Sequence, residues 1–400
     1  MNIFKKLYCR IYQGFFRLIL PFLPYREPQI LKEYAEIVGV LKEKGINSVL
    51  LVTDKGIKNL GLTKALEDEI KTNGIKLSVF DGTMPNPTTQ NVEDALKMYH
   101  ENNCKALIAF GGGSPIDCAK AVGARVARPR KSLSKMKGVL KIRKRIPLLI
   151  AIPTTAGTGS ETTLASVITD SETRHKYAIN DFSLIPRYAL LKPELTINLP
   201  KHISSTTGMD ALTHAIEAYI GRSTTKKTRK KALSATKVIV ENLVNVYNNG
   251  HDIMAREKLL KAAYDAGVAF TQSYVGYVHA IAHSLGGKYN IPHGYANAII
   301  LPYVLKAYGK KVHKKLWKMG IFCNLFDKQT PKKVGAKIFI EKIEQMNKLM
   351  GIPNKIEQIE EKDIPYLAKT AEKEANPLYP VPVLLSAKQL ENILFVLKEL

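Results

Sequence analysis

The 400-residue sequence has only four cysteines, and no two of them have Cys-x-x-Cys spacing. This rules out a cysteine zinc cage and indicates reduced thiols, as expected for a cytoplasmic protein. The patterns of RNP motifs, zinc fingers and helix-turn-helix domains are also missing. A chain of this length, without internal repeats, is expected to form two domains. The cysteines are Cys9, Cys104, Cys118 and Cys323.

Acidic residues are scarce, and the formal net charge is +25 at pH 7. No Asp or Glu occurs between Cys118 and Ser160, whereas residues 128–145 contain nine basic side chains. A surface of this kind can bind nucleic acid or an anionic membrane. A lysine-rich surface that is simply solvated explains the same composition. Without a nucleic-acid-binding motif, we do not expect nucleic acid to be a partner.

Residues 1–28 lack both a signal-peptide cleavage site and an apolar run long enough to span a bilayer. Their apolar residues instead recur with helical spacing and form one stripe. We therefore predict an amphipathic N-terminal extension, of which residues 1–23 bind an anionic membrane surface. The alternative is that this helix docks on the rest of the chain or on a second subunit. The face opposite the stripe carries Lys6, Arg10, Gln13 and Arg17.

Predicted strands and helices alternate over residues 29–198, which indicates an α/β domain with a parallel sheet. After about residue 199 only helical patterns remain, so residues 199–400 are predicted to form an all-helical domain. The predicted strands cover residues 46–54, 75–82, 106–114 and 147–155.

Two glycine-rich turns follow predicted strands, and both are suited to bind phosphate. "GGGS" (111–114) leads directly into a helix, whose first backbone N–H groups can face an anion. It does not match the GxGxxG fingerprint, and a tight structural turn is the alternative. "TTAGTGS" (154–160) supplies further donors. Asp54, at the end of the first strand, either accepts from ribose hydroxyls or caps the following helix.

Three of the nine histidines fall within fifteen positions, from His279 to His293. His279 and His283 are four residues apart, as are Asp210 and His214, so each pair shares one face of a helix. We expect His293 to follow in a loop. Carboxylate and imidazole donors of this kind bind Fe²⁺, Zn²⁺ or Co²⁺. Buried histidines that are hydrogen-bonded to one another are the competing interpretation.

Four segments of the sequence carry a family resemblance: "GGGSPIDCAK", "PTTAGTGSE", "GMDALTHAIEAY" and "HAIAHSLGGKYNIPHGYANA". In order and separation they resemble the motifs of the iron-containing (group III) alcohol dehydrogenases. The resemblance extends over about residues 29–400 and implies a dehydroquinate synthase-like architecture, in which an α/β dinucleotide-binding domain precedes an all-α metal-binding domain. The chain departs from the family in its N-terminal extension, in the basic segment 225–231 and at Lys192.

The resemblance also implies roles for individual residues. His283 would be the catalytic residue that relays the alcohol proton or holds a water molecule. The ligands of Fe²⁺ or Zn²⁺ would be Asp210, His214, His279 and His293. NAD would be bound by Asp54, Asn86, Gly112, Gly113, Ser114, Asp117, Thr154, Thr155, Lys176 and Leu195.

The sequence thus predicts a metal-dependent oxidoreductase that transfers a hydride between NAD(H) and a primary alcohol or aldehyde. A glycerol or diol dehydrogenase, or a lactaldehyde-type reductase of the same superfamily, is one alternative, but the Asp210/His214 pair favours the four-ligand iron group. A membrane-surface or nucleic-acid-binding protein is an alternative of another class. We expect a cytoplasmic homodimer that is peripheral at the membrane.

Overall fold

The structure is a computed structural model that describes residues 1–173 and 175–398. The chain divides into two compact units. One comprises residues 24–198, and the other comprises residues 1–23 together with the residues from 199 onward. The extension that the sequence sets apart as residues 1–28 is therefore shared between the units, and its helix belongs to the second.

The α/β unit alternates strands and helices. Capping boxes start two of its helices, at Glu33 and at Thr88, where side chains accept the first free N–H groups. The strands are β1 (Gln29–Leu31), β2 (Ser48–Val52), β3 (Lys76–Phe80), β4 (Ala106–Gly111), β5 (Gly138–Val139), β6 (Leu148–Pro153), β7 (Ala165–Thr169), β8 (Lys176–Asn180) and β9 (Tyr188–Leu190). Helix α1 belongs to the other unit; the helices here are α2 (Tyr34–Glu43), α3 (Lys55–Asn59), α4 (Lys64–Thr72), α5 (Thr89–Glu101), α6 (Gly113–Ala127) and α7 (Leu133–Met136).

Six strands form a parallel sheet in the order β1-β9-β6-β4-β2-β3. Strands β2 and β4 are completely buried because alternate side chains pack into two cores on opposite faces. Leu50 and Leu107 enter one core, whereas Leu51 and Ile108 enter the other. The four strands predicted from apolar runs are confirmed, and the parallel α/β architecture with them. The short strands β1 and β9, at one side of the sheet, were not predicted.

A second sheet joins β5, β8 and β7. Strands β7 and β8 pair antiparallel, from Ala165 opposite Asn180 to Thr169 opposite Lys176. The sequence gives no signal for this sheet because its strands are short and only partly apolar. Along the chain β5 precedes β6, whereas β7 and β8 lie between the second glycine-rich turn and β9, and β8 carries Lys176.

The second unit is helical, and among its described residues there is no strand. This confirms the all-α prediction. Its helices are α1 (Ile3–Ile19), α8 (Lys201–Ile220), α9 (Lys226–Asn248), α10 (Ile253–Ser273), α11 (Tyr277–Tyr289), α12 (His293–Tyr308), α13 (His313–Phe322), α14 (Lys332–Leu349), α15 (Ile364–Ala375) and α16 (Ala387–Lys398). Over residues 1–173 and 175–398, no helix combines the length and the apolar character needed to cross a bilayer.

Helix α1 is amphipathic, as predicted. Of its polar face, Arg10 and Gln13 contact the rest of the unit, whereas Lys6 and Arg17 are exposed. Gln13 and Cys9 are buried, and Gln13 donates to the carbonyl oxygen of Tyr379 at 2.7 Å. Arg10 donates to the carbonyl oxygens of Val381 and Pro382 at 2.7 and 3.1 Å. The apolar stripe is thereby left on the outer side of the helix.

Candidate metal and cofactor sites

Three helices of the helical unit bring four metal-binding side chains to one point. Asp210 and His214 come from α8, His279 comes from α11, and His293 comes from α12. Each offers one oxygen or nitrogen atom, and these four atoms all lie within 4.8 Å of one another. The first three side chains are buried, and that of His293 is 37% exposed. The donors named from sequence spacing and family resemblance therefore converge.

Helix α8 is buried over most of its length, so its polar residues need partners inside the protein. Asp210, His214 and Glu217 follow at i, i+4 and i+7 and occupy one face of the helix. His214 stacks on Phe270 with ring centroids 4.0 Å apart, and its ring lies 4.6 Å from that of His279. This packing fixes the plane of the His214 imidazole.

Glu217 orients His279. Its carboxylate accepts from His279 Nδ1 at 2.6 Å and from the backbone N–H groups of Gly276 and Val278 at 2.7 and 2.9 Å. A Cβ atom on residue 276 would come within 2.6 Å of Glu217 Oε1, so glycine is required there. Burial raises the pKa of Glu217 to about 7, although these three donors favour the charged form.

His293 is the first residue of α12, so the prediction that it lies in a loop is wrong. Pro292 precedes it with φ −57°, which is compatible with a helix start. Gly294 lets α12 approach α8 closely, since a Cβ atom there would lie 2.5 Å from the carbonyl oxygen of Thr206. Asn297, one turn later, donates to Asp210 Oδ1 at 2.7 Å and contacts His293 Nε2 at 3.0 Å.

The donor set fits a divalent metal ion. Because Nδ1 of His279 donates to Glu217, its Nε2 carries the lone pair and lies 3.8 Å from Asp210 Oδ1. This Nε2 is buried and has no hydrogen-bond partner among the described residues. Burial lowers the pKa of His279 well below its usual range, and the neighbouring histidines lower it further, so the ring is neutral. A carboxylate–histidine pair whose second nitrogen points at other ligands is typical of metal centres.

His283 lies beside this cluster. Its ring stacks on that of His293, with centroids 5.1 Å apart and an interplanar angle of 18°. Its Nδ1 lies 2.7 Å from Glu374 Oε1, and its side chain is 44% exposed. It is thus the most exposed of the four histidines. A side chain that exchanges protons with a substrate needs such access.

The predicted nucleotide residues follow neighbouring strands of the parallel sheet. Asp54 follows β2, and its Oδ1 accepts from the N–H of Ile57 at 2.9 Å, so it caps α3. Asn86, with φ 58°, donates its N–H to Ser114 Oγ at 3.3 Å, and its Oδ1 accepts from Lys176 Nζ at 2.7 Å. Asn86, Ser114 and Lys176 are therefore brought together.

The two glycine-rich turns meet because β4 and β6 are adjacent in the sheet, with Gly111 opposite Pro153. A Cβ atom on Gly112 would lie 3.7 Å from Thr155, and Thr154 donates its N–H to the carbonyl oxygen of Gly111 at 3.1 Å. Gly113 is the first residue of α6, preceded by Gly112 as its cap. This is the geometry that favours an anion at a helix start.

Asp117 and Leu195 have internal roles. The carboxylate of Asp117 accepts from Ser160 Oγ at 2.6 Å and from the N–H of Val167 at 3.0 Å, which ties α6 to the second turn. Burial raises its pKa. Leu195 is buried in the core on one face of the sheet. Contacts inside the protein account for the positions of both side chains.

Four residues that the sequence analysis did not name support these sites. Glu217 could have been found, because it continues the spacing of Asp210 and His214, and Asn297 follows His293 at i+4. Lys120 is fully buried and donates to Thr163 Oγ1 and the carbonyl oxygen of Ala165, both at 2.8 Å. Lys120 and Glu374 have no local signal, since their partners are distant in sequence.

Comparisons with known proteins agree with these sites. The family model "Iron-containing alcohol dehydrogenase" matches residues 30–193, and the model "Fe-containing alcohol dehydrogenase family, C-terminal" matches residues 204–396. The chain is 34% identical over 365 residues to 1,3-propanediol dehydrogenase of Citrobacter freundii, covering 90% of this chain and 93% of the relative. It is 36% identical over 341 residues to NAD-dependent methanol dehydrogenase of Bacillus methanolicus, covering 84% and 88%.

A solved structure of 1,3-propanediol oxidoreductase superposes with a TM-score of 0.89 at 31% identity, over 93% of this chain and 98% of the other. The fold, the two family models and the cluster of one carboxylate and three imidazoles lead to one assignment. The chain belongs to the iron-containing alcohol dehydrogenase family and is an NAD-dependent alcohol oxidoreductase.

Proposed function

We propose that Asp210, His214, His279 and His293 hold one divalent metal ion, Fe²⁺ or Zn²⁺, and that the enzyme interconverts short primary alcohols or diols and their aldehydes. The observation that carries this proposal is the convergence of four donor atoms within 4.8 Å, with the lone pair of His279 Nε2 pointing into the group. The names of relatives that act on 1,3-propanediol and methanol support a small substrate.

The metal would supply a Lewis acid for the oxygen of the alcohol or carbonyl, and NAD supplies the hydride chemistry. The protein residues supply position. Glu217 fixes the tautomer of His279, and Asn297 holds the Asp210 carboxylate. His283, which is partly exposed and stacks on His293, takes up or returns the hydroxyl proton.

For the nucleotide, we propose that backbone N–H groups of Gly112 and Gly113 and the hydroxyl of Ser114 bind the pyrophosphate. Asp54 accepts from the ribose hydroxyls through Oδ2, because its Oδ1 is used by Ile57. Asn86 and Lys176, which contact each other at 2.7 Å, form a polar pair beside the proposed nucleotide site. Thr154 and Thr155 are the remaining residues proposed to line the nucleotide, whereas Asp117 supports the second turn and Leu195 belongs to the core on one face of the sheet.

The activity is tested with purified protein loaded anaerobically with Fe²⁺. We expect NAD-dependent oxidation of 1,3-propanediol and other short primary alcohols, with one metal ion per chain by elemental analysis. A chelator should abolish turnover, and Fe²⁺ should restore it. Full activity in protein shown by analysis to be metal-free would contradict the proposed metal site, and activity on glycerol alone would favour the glycerol alternative.

We also propose that the apolar face of α1 binds an anionic membrane surface. Eight large apolar side chains of this face, and Phe22 just beyond the helix, are 39–86% exposed. A contiguous exposed apolar surface of this kind marks an interaction site. The alternative in which the apolar stripe packs on the chain is not supported, because Cys9 and Gln13 are the buried residues of α1. The exposed residues are Ile3, Phe4, Leu7, Tyr8, Ile11, Tyr12, Phe15, Leu18 and Phe22.

Charge complementarity favours a membrane over a second copy of the chain. The first 26 residues contain no Asp or Glu, so two copies of α1 could not form ion pairs across a shared interface. Anionic lipid, by contrast, attracts a chain whose formal net charge is +25. We therefore propose a cytoplasmic enzyme, in line with its cysteine usage, that attaches reversibly to anionic membranes; a homodimer remains our prediction for its assembly through other surfaces.

The membrane proposal is tested by sedimentation with phosphatidylserine-containing vesicles at low and moderate salt. We expect the full-length protein to pellet, and Leu7→Glu to abolish pelleting. Leu349→Glu is the matched control, because Leu349 is 52% exposed on α14 and Leu7 is 59% exposed on α1. If wild type stays in the supernatant and instead forms a dimer that Leu7→Glu dissociates, the apolar face of α1 binds a second copy of the chain. The membrane proposal is then wrong.

A further inference from the structure

The ring of His283 is held from two sides. His293 stacks on one face, and Glu374 of α15 accepts from Nδ1 at 2.7 Å. Since an ionised carboxylate can only accept, this contact places the proton on Nδ1 and leaves the lone pair on Nε2. A free imidazole would exchange between the two tautomers and rotate about its side-chain bonds. Glu374 therefore selects both the tautomer and the orientation of His283.

Glu374 is in turn held by Tyr379. The Tyr379 hydroxyl donates to the same Oε1 at 2.7 Å, and the tyrosine side chain is buried. Burial raises the pKa of Tyr379 well above its usual range, so the hydroxyl keeps its proton and remains a donor. Oε1 of Glu374 therefore accepts two hydrogen bonds, one from His283 Nδ1 and one from the Tyr379 hydroxyl.

The segment that carries Tyr379 is held by the N-terminal helix. Gln13 donates to the carbonyl oxygens of Tyr379 and Pro377 at 2.7 and 3.3 Å. Its own Oε1 accepts from Arg10 at 2.7 Å, which fixes the orientation of the amide. Arg10 also donates to the carbonyl oxygens of Val381 and Pro382, two and three residues beyond Tyr379. Hydrogen bonds and the Tyr379 side chain thus connect α1 to His283.

We infer that Glu374 and Tyr379 are positioning residues for His283, and that α1 holds them in place through Gln13. This inference rests on the proposed role of His283 in proton transfer. The N-terminal helix would then have two roles, since it positions residues of the enzyme and binds the membrane through its exposed face. A displacement of α1 would move the carbonyl group of Tyr379 first, then Glu374, and then the His283 ring.

The test compares Glu374→Ala, Glu374→Gln and Tyr379→Phe with wild type. We expect Glu374→Ala to lower kcat about ten- to a hundredfold, as loss of an orienting carboxylate behind a histidine does, with KM for NAD and iron content unchanged. Glu374→Gln keeps an acceptor and should restore most of the rate. The matched control is Lys373→Ala, because Lys373 is the exposed neighbour of Glu374 on the same helix.

For the N-terminal helix, Gln13→Ala should lower kcat in the same sense by a smaller factor. Gly14→Ala is its control, since residue 14 is exposed and an added Cβ atom meets nothing within 4 Å. Equal kcat values in Gln13→Ala and Gly14→Ala would show that α1 does not hold Glu374 and Tyr379 in place. Equal losses of kcat in Glu374→Ala and Lys373→Ala would mean that Glu374 has only a structural role.

A readout that does not depend on turnover separates this inference from the proposed function. The ¹⁵N NMR shifts of His283 in Zn²⁺-loaded protein report its tautomer directly. We expect the Nδ1–H form in wild type and in Glu374→Gln, and a mixture of tautomers in Glu374→Ala. Unchanged shifts in Glu374→Ala would overturn the inference even in an active enzyme. Altered shifts in a protein without alcohol activity would overturn the proposed function alone.

Discussion

Replacing His279 with alanine is expected to leave the chain folded, without bound iron, and without measurable alcohol-dependent NADH formation. His279 Nε2 is buried among the other three donors, and Glu217 holds its ring in position. The loss of Lewis-acid stabilisation of several kcal/mol lowers kcat by about three orders of magnitude or more. Elemental analysis and a steady-state assay measure the two effects, and circular dichroism reports the fold.

His283→Ala is the matched control for this prediction, because His283 is one helical turn from His279 on α11. We expect this variant to keep its iron and to lose rate. Loss of iron in His283→Ala, together with full iron occupancy in His279→Ala, would mean that the ligand assignment is wrong. If His279→Ala fails to fold, His279→Gln, which retains a polar side chain that can still donate to Glu217, takes its place.

Wild-type enzyme is expected to prefer NAD to NADP by roughly ten- to a thousandfold, and Asp54→Gly is expected to reduce this preference. A 2′-phosphate placed beside the Asp54 carboxylate costs on the order of 1–4 kcal/mol in Coulomb energy at a surface-like dielectric. That free energy corresponds to the stated range of preference. The glycine variant loses both the acceptor for the ribose hydroxyls and the negative charge, so KM for NAD should rise.

The capping role of Asp54 requires a second variant. Its Oδ1 accepts from the N–H of Ile57, and asparagine retains such a cap while it removes the charge. Asp54→Asn should therefore shift the ratio of kcat/KM for the two cofactors without loss of thermal stability. If both variants leave the ratio at its wild-type value, or if wild type prefers NADP, then Asp54 is only a cap.

The sequence predicts the central sheet from local patterns, and it predicts the four metal ligands from the family resemblance. Strands β2, β4 and β6 are buried apolar runs, and spacing alone places Asp210 and His214 on one helix face. The sheet formed by β5, β7 and β8 has no such signal, because its stability comes from pairing between short segments. His293 was assigned to a loop because the proline and glycine that flank it usually break helices, whereas here one precedes α12 and the other lies in its first turn.

The contacts of helix α1 and of Glu374 could not be predicted for a different reason. Periodicity shows that α1 has a polar face and an apolar face, but the choice of the buried face depends on carbonyl groups more than 360 residues away. Glu374 is 91 residues from His283, and its partner is determined by how α15 packs beside α11. Tertiary packing supplies this information.

The ligand cluster also ties the stability of the helical unit to the supply of metal. Its donors come from α8, α11 and α12, which are joined by more than eighty residues of chain between Asp210 and His293. An ion that binds only when these helices are assembled is thermodynamically linked to folding. At a free-metal concentration of about a thousand times Kd, this linkage amounts to about 4 kcal/mol. Iron scarcity would therefore limit the lifetime of the folded enzyme as well as its rate, so the cellular abundance of the protein would follow the metal supply.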